Sequence, residues 1–128
     1  MLKVIFIAVG GASGALMRYG LSNLVHSYVS ASFPWGTLAV NLIGCFAIGV
    51  LWQVFDRVIV SPEVRALALV GILGGFTTFS TFALETFNLL RDGELAFAIS
   101  NIAVSAVAGI VLVFVGFTLT KYVIDLAR

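Results

Sequence analysis

Most charged residues in this chain fall at the ends of four long apolar runs. The first covers about residues 3–27, with Arg18 and His26 late in it. The second covers about residues 35–55 and is bracketed by Trp35 and Trp52, which suit the membrane interface. Those two residues are 17 positions apart, about 25 Å at helical rise and close to one hydrocarbon thickness. The third run, about 63–90, opens on SPEV, with Ser61 as N-cap, Pro62 in the first turn and Glu63 on the positive helix end. It stays uncharged from Ala66 to Leu84, meets Glu85 and ends at Arg91. The RDGE turn, Arg91 to Glu94, leads into the fourth run, about 95–121, uncharged from Leu95 to Thr120. Runs of this length predict four transmembrane helices, so the expected fold is an all-α membrane protein. Residues 1–128 read as a single domain, with no internal repeat and no segment long enough for a separate soluble unit. Short connections make successive helices antiparallel and place both termini on one face.

Within the third run, GGFTTFSTF (residues 74–82) breaks the pattern. It contains two Gly, three Phe, three Thr and one Ser, all mediocre or poor helix formers, in a segment otherwise built from Leu and Ala. Phe76, Phe79 and Phe82 recur at i, i+3 and i+6, while Thr77, Ser80 and Thr81 fall on an adjoining stripe. Gly74 and Gly75 offer a natural break, so the third helix is expected to be interrupted near Gly74–Thr78. A broken membrane helix is tolerated only where it is buried or faces water. The break frees carbonyls suited to a small hard cation and exposes a half-helix N-terminus suited to an anion. The positive edge of a phenyl ring can bind an anion weakly enough to release it. These features predict a small-ion pathway without naming the ion.

Composition narrows the class. Of the 128 residues, 61% are hydrophobic and 10% charged, with a mean hydropathy of +1.15; ordinary soluble domains carry about 25% charged residues. Net charge is +1, and no basic cluster points to nucleic acid or to a polybasic lipid anchor. The single Cys45 excludes an internal disulfide, and the single His26 leaves a zinc hydrolase nothing to build on. Lys3 and the apolar stretch after it imitate a signal peptide, but Arg18 closes that stretch and three more spans follow, so it reads as a retained helix. Counted by face, Lys3, Arg57, Arg65, Lys121 and Arg128 lie on the terminal side. Arg91 lies on the other, joined by Arg18 if that side chain reaches outward. This bias leans weakly toward cytoplasmic termini.

Glycine is abundant, with 13 residues. Gly10 with Gly14, and Gly11 with Ala15, form small-residue pairs that let helices approach closely in lipid. GGASG as a dinucleotide-binding loop fails, since no strand precedes it and no acidic residue follows at the required distance. The candidate polar residues in the spans are Arg18, Asn41, the Thr77–Thr81 cluster, Glu85, Asn101 and Ser105. Such residues usually face a bundle interior or a cavity. Taken singly, hydroxyls bond back to their own helix, Asn41 and Asn101 serve as interhelical glue, and Arg18 and Glu85 either pair or snorkel to the headgroups.

Taken together, these residues resemble the Fluc (CrcB-type) fluoride channels over essentially the whole chain. The likeness rests on GGASGALMRY ending in Arg18 and Tyr19, on WGTLAVNLIG carrying Asn41, and above all on GGFTTFSTF continuing into Glu85. The resemblance implies an antiparallel dual-topology homodimer with two fluoride pores, multi-pass in a bacterial inner membrane. It implies a structural sodium ion at the subunit interface, held by main-chain carbonyls of Gly74 and Thr77. Asn41, Phe79, Phe82, Ser80 and Thr81 match pore positions, and Arg18 and Glu85 belong to the same matched motifs. In the fourth span the family presents Tyr and then Ser four residues on; here Asn101 stands at the Tyr position and Ser105 fits. The implied activity is passive export of fluoride that entered as neutral hydrogen fluoride, which lowers its toxicity, with no enzymatic step.

Two rival readings fit worse. A proton-coupled exporter of the small multidrug-resistance type wants a carboxylate in its first helix, and the first span contains no Asp or Glu. A packing subunit of a larger membrane complex explains the glycines but not the coincident Phe and hydroxyl stripes.

Overall fold

The computed structural model describes residues 1–29 and 33–127. Arg128, counted above among the basic residues, lies outside them. The described chain is helical throughout, with α1 at Leu2–Tyr28, α2 at Trp35–Arg57, a bent third span at Pro62–Arg91 and a last helix at Leu95–Leu126. All four spans are long and apolar enough to cross a membrane. The third is divided here into α3, residues 62–76, and α4, Phe79–Arg91, so that the last helix is α5. The last helix runs beyond position 121 because YVIDL continues it, and Arg57 pairs with Asp125 at 3.2 Å.

Local chemistry sets the ends of the third span. Ser61 accepts the Val64 amide through its hydroxyl at 3.4 Å, and Pro62 sits in the first turn. At the other end Gly93 adopts φ +81°, the left-handed conformation glycine reaches without penalty. The amides of Gly93 and Glu94 then bond back to the carbonyls of Leu90 and Leu89 at 3.2 and 2.8 Å, a Schellman closure. Inside α3, Ala66–Leu73 is wound in wide π turns. Nothing in ALALVGIL distinguishes it from an ordinary helix.

The helices pack as two seams, α2 along α5 and α1 along α3. Both seams use glycine for backbone approach. On α1, a Cβ at Gly14 would stand 2.8 Å from the Phe76 amide nitrogen and closer still to the Ile72 carbonyl oxygen. On α2, a Cβ at Gly49 would collide with the Val113 carbonyl of α5. Without a hydrophobic drive between helices in lipid, such contact is what holds them together. The core is correspondingly small: Leu38, Val40, Ala66, Leu73, Phe76 and Ala98 are among its buried apolar residues. Long apolar side chains elsewhere point outward, as lipid allows.

Candidate functional site

The third span opens at Thr77 and Thr78, whose backbones are extended (φ −81°, ψ 157° and φ −150°, ψ 115°). Gly74, at φ −64° and ψ −34°, is still helical. The glycine pair therefore does not make the opening, and Gly75 serves packing. A Cβ on Gly75 would lie 2.5 Å from the Gly11 carbonyl oxygen of α1.

The two threonines finish one helix and begin the next. The Thr77 amide and hydroxyl both donate to the Leu73 carbonyl, each at 2.9 Å. The Thr78 hydroxyl caps α4 by accepting the Thr81 amide at 3.2 Å. It also donates to the Thr81 hydroxyl at 2.9 Å, with the Ser80 hydroxyl 3.4 Å away.

Asn41, from α2, mends the opening. Its Oδ1 accepts the Thr78 amide at 2.8 Å, and its Nδ2 donates to the Thr78 carbonyl at 3.0 Å. One carboxamide thus meets both backbone groups of an extended residue, as a neighbouring strand would. Each such group left unmet in a dry interior costs several kcal/mol, so α2 decides where the third span can open. In a continuous helix the Thr78 amide would go to the Gly74 carbonyl; given to Asn41, it leaves that carbonyl without its helical partner. The Thr77 carbonyl faces the Arg18 guanidinium at 3.5 Å, a long contact.

Beside this opening lies a cavity of about 790 Å³ whose walls include Asn41, Gly74, Thr77, Phe79, Phe82 and Ser105. The Phe79 and Phe82 rings are 5.6 Å apart between centroids and tilted by 42°. Phe79 is 79% exposed, whereas Phe76 is 5% exposed and packed inward. The three phenylalanines therefore do not form one stripe. The change of direction at Thr77 and Thr78 leaves Phe76 buried, with its ring beside Gly44 of α2, and sends the other two to the cavity. The hydroxyl stripe divides at the same place, with Thr77 on one side and Ser80 and Thr81, both exposed, on the other.

The remaining polar residues sort by partner. The Ser105 hydroxyl is buried with no partner. Asn101 is 1% exposed, absent from the cavity wall, and donates through Nδ2 to the Thr86 hydroxyl at 2.9 Å. Glu85 accepts from the Thr37 hydroxyl at 2.8 Å through one oxygen, and its second oxygen is buried without a partner. Arg18 and Glu85 do not pair, because the break draws the guanidinium to Thr77 while α2 supplies Glu85 with its own donor. The sequence reading passed over Thr37 and Thr86. Thr37 was detectable, lying four residues before Asn41 on the same helical face. Thr86 carries no such signal.

The family model described as CrcB-like protein, Camphor Resistance (CrcB), matches residues 5–117. The fluoride-specific ion channel FluC of Nitrosococcus oceani is 44% identical over 122 residues, which cover 94% of this chain and 98% of that protein. The FluC protein of Salinibacter ruber is 48% identical over 116 residues, 91% of this chain and 87% of the relative. That of Parabacteroides distasonis is 41% identical over 128 residues, the full length of both.

Proposed function

The chain belongs to the CrcB-like family, and from that premise we propose that it is a passive fluoride channel exporting fluoride across a bacterial inner membrane. The observation that carries the reading is the Asn41-mended opening with two phenyl rings on a shared cavity. The donors gathered there suit a small, strongly hydrated anion. Asn41 uses one of its two Nδ2 protons on Thr78, so a second remains to give. Ser105 has an unspent hydroxyl on the same wall, and Ser80 and Thr81 add hydroxyls at the start of α4. Ring edges of Phe79 and Phe82 complete the set with partial rather than full positive charge. An anion held this way is released to the next donors, which conduction requires. The exporter reading finds no support, since α1 carries no carboxylate to exchange protons.

Two further parts belong to the same proposal. The carbonyls of Gly74 and Thr77, the latter shared with Arg18 at 3.5 Å, would hold a sodium ion, because unwound helix carbonyls are oxygen donors that Na⁺ takes in a dry interior. Bound there, it would supply fixed positive charge and satisfy the Gly74 carbonyl, whose helical partner has gone to Asn41. The working unit is an antiparallel homodimer: the exposed ring of Phe79 and the open cavity leave the pathway unwalled on one side of a single copy.

The test is fluoride efflux, beside chloride efflux, from liposomes containing only the purified protein. A fluoride leak without a matching chloride leak is expected; equal leaks, or none, defeat the channel reading. Exhaustive replacement of sodium is expected to weaken flux or assembly. Labelling of termini on both sides of the membrane is expected for the antiparallel dimer, and full activity with one-sided labelling overturns that part.

A further inference from the structure

We infer that Asn101 is a positioning residue for permeation, acting through Thr86 on the backbone of Phe82 rather than by touching the ion; the inference rests on the channel reading above. Helix α4 is thinly enclosed by its own protomer. Phe79, Leu84, Phe87 and Leu90 are all exposed, and only Thr86 and Leu89 of this helix are buried. Three side-chain ties hold it to its own protomer: Asn41 at Thr78 with two hydrogen bonds, Thr37 at Glu85 and Asn101 at Thr86 with one each. The first two come from α2. The third is the tie to α5, and it is the fully buried one.

The Thr86 hydroxyl links two residues. It accepts from Asn101 Nδ2 at 2.9 Å and donates to the Phe82 carbonyl at 2.8 Å. A threonine bonded back to the carbonyl one turn earlier bends its helix slightly there. A donor on the same hydroxyl strengthens the bond it gives. The chain from α5 through Asn101 and Thr86 thus ends on the residue whose ring faces Phe79. On α5 the cavity wall is made by Ile102, Ser105 and Ala106, with Asn101 behind it. Without this tie α4 is held by the side chains of α2 alone, and the two rings lose the spacing that an anion of one size requires.

The experiment measures fluoride and chloride efflux and thermal stability in detergent for Asn101→Leu, Thr86→Val, their combination and Thr86→Ser. Both single changes are expected to lower fluoride flux by about tenfold and to lower the fluoride-to-chloride flux ratio, the order expected when one buried interhelical hydrogen bond is lost from a rate barrier. The combination is expected to be no worse than either single change, because both remove one link. Thr86→Ser keeps the hydroxyl and restores flux. Lost flux in Asn101→Leu with normal flux in Thr86→Val overturns the inference, as do additive losses or flux falling only in step with stability. Should Asn101→Leu fail to fold, the near-isosteric Thr86→Val decides alone: reduced flux at wild-type stability supports the link, and wild-type flux sinks it. A wild type that leaks no fluoride overturns the channel reading and this inference with it, whereas a leaking wild type with any contrary result overturns this inference only.

Discussion

The two halves of the third span are fastened in opposite ways. Helix α3 is held by close backbone approach: Gly10 meets Leu67 and Gly71, Gly14 meets Ile72 and Phe76, and Gly75 meets Gly11. Helix α4 makes no comparable seam and is held by hydrogen bonds from Thr37, Asn41 and Asn101. Glycine contact tolerates no added atom and leaves no donor free. Polar ties do the reverse, leaving an apolar helix face open and donors at its start. The half that carries Phe79 and Phe82 is therefore the half that its own protomer encloses least, as the proposed pathway between two copies would require.

The largest effect expected at this boundary comes from Asn41→Leu. It strands the amide and the carbonyl of Thr78, at about 1–3 kcal/mol for each group. Fluoride flux should vanish and the melting temperature in detergent should fall sharply. Retention of both would mean that the third span opens without help from α2.

Gly14→Ala tests the other fastening. Its new Cβ meets backbone atoms of Ile72 and Phe76, which cannot turn aside, so the α1–α3 seam must part at a cost of about 1–3 kcal/mol. Thermal unfolding in detergent measures this, and a wild-type melting point would show the seam to be looser than its geometry.

Phe79→Ile and Phe82→Ile remove ring edges and keep bulk. Each should cost under about 1.5 kcal/mol of stability while fluoride efflux collapses. Phe76→Ile, on the packed side of the break, should show the reverse balance, with stability lost and selectivity kept. Equal, modest losses of flux at all three positions, tracking stability, would erase the distinction between the halves.

Gly20→Ala should have the smallest effect. A Cβ there meets nothing within 4 Å, and alanine in a helix interior gains roughly 0.5–1 kcal/mol over glycine. A clear loss of stability or dimer would place Gly20 in an interface that one protomer does not contain.

Much of this site is legible in residue order. Asn41, Phe79, Phe82 and Ser105 are polar or aromatic residues out of place in apolar runs, and the cavity collects all four. The break, too, is visible as a stretch of poor helix formers. Its exact seat is not, because Gly74 and Gly75 look locally like the weak point. They stay helical, Gly75 against Gly11 of α1, and the chain opens where Asn41 can meet an extended residue. Thr86 is illegible for a related reason: a helical threonine satisfies its hydroxyl within its own turn, and only the approach of α5 gives it a second partner.

What the sequence determined by itself is whatever depends on composition and short-range chemistry. That covers four apolar spans, the Ser61 cap, the Gly93 turn, and the excess of glycine that lets helices touch. What only the tertiary structure decided depends on partners far along the chain. It placed the opening at Thr77 and Thr78, wound Ala66–Leu73 wide, separated Phe76 from Phe79 and Phe82, and gave Arg18 and Glu85 different partners. The physical reason is that a backbone group in a dry bilayer must be satisfied somewhere. Residue order says that a group is set free, and only the neighbouring helix says which group it will meet.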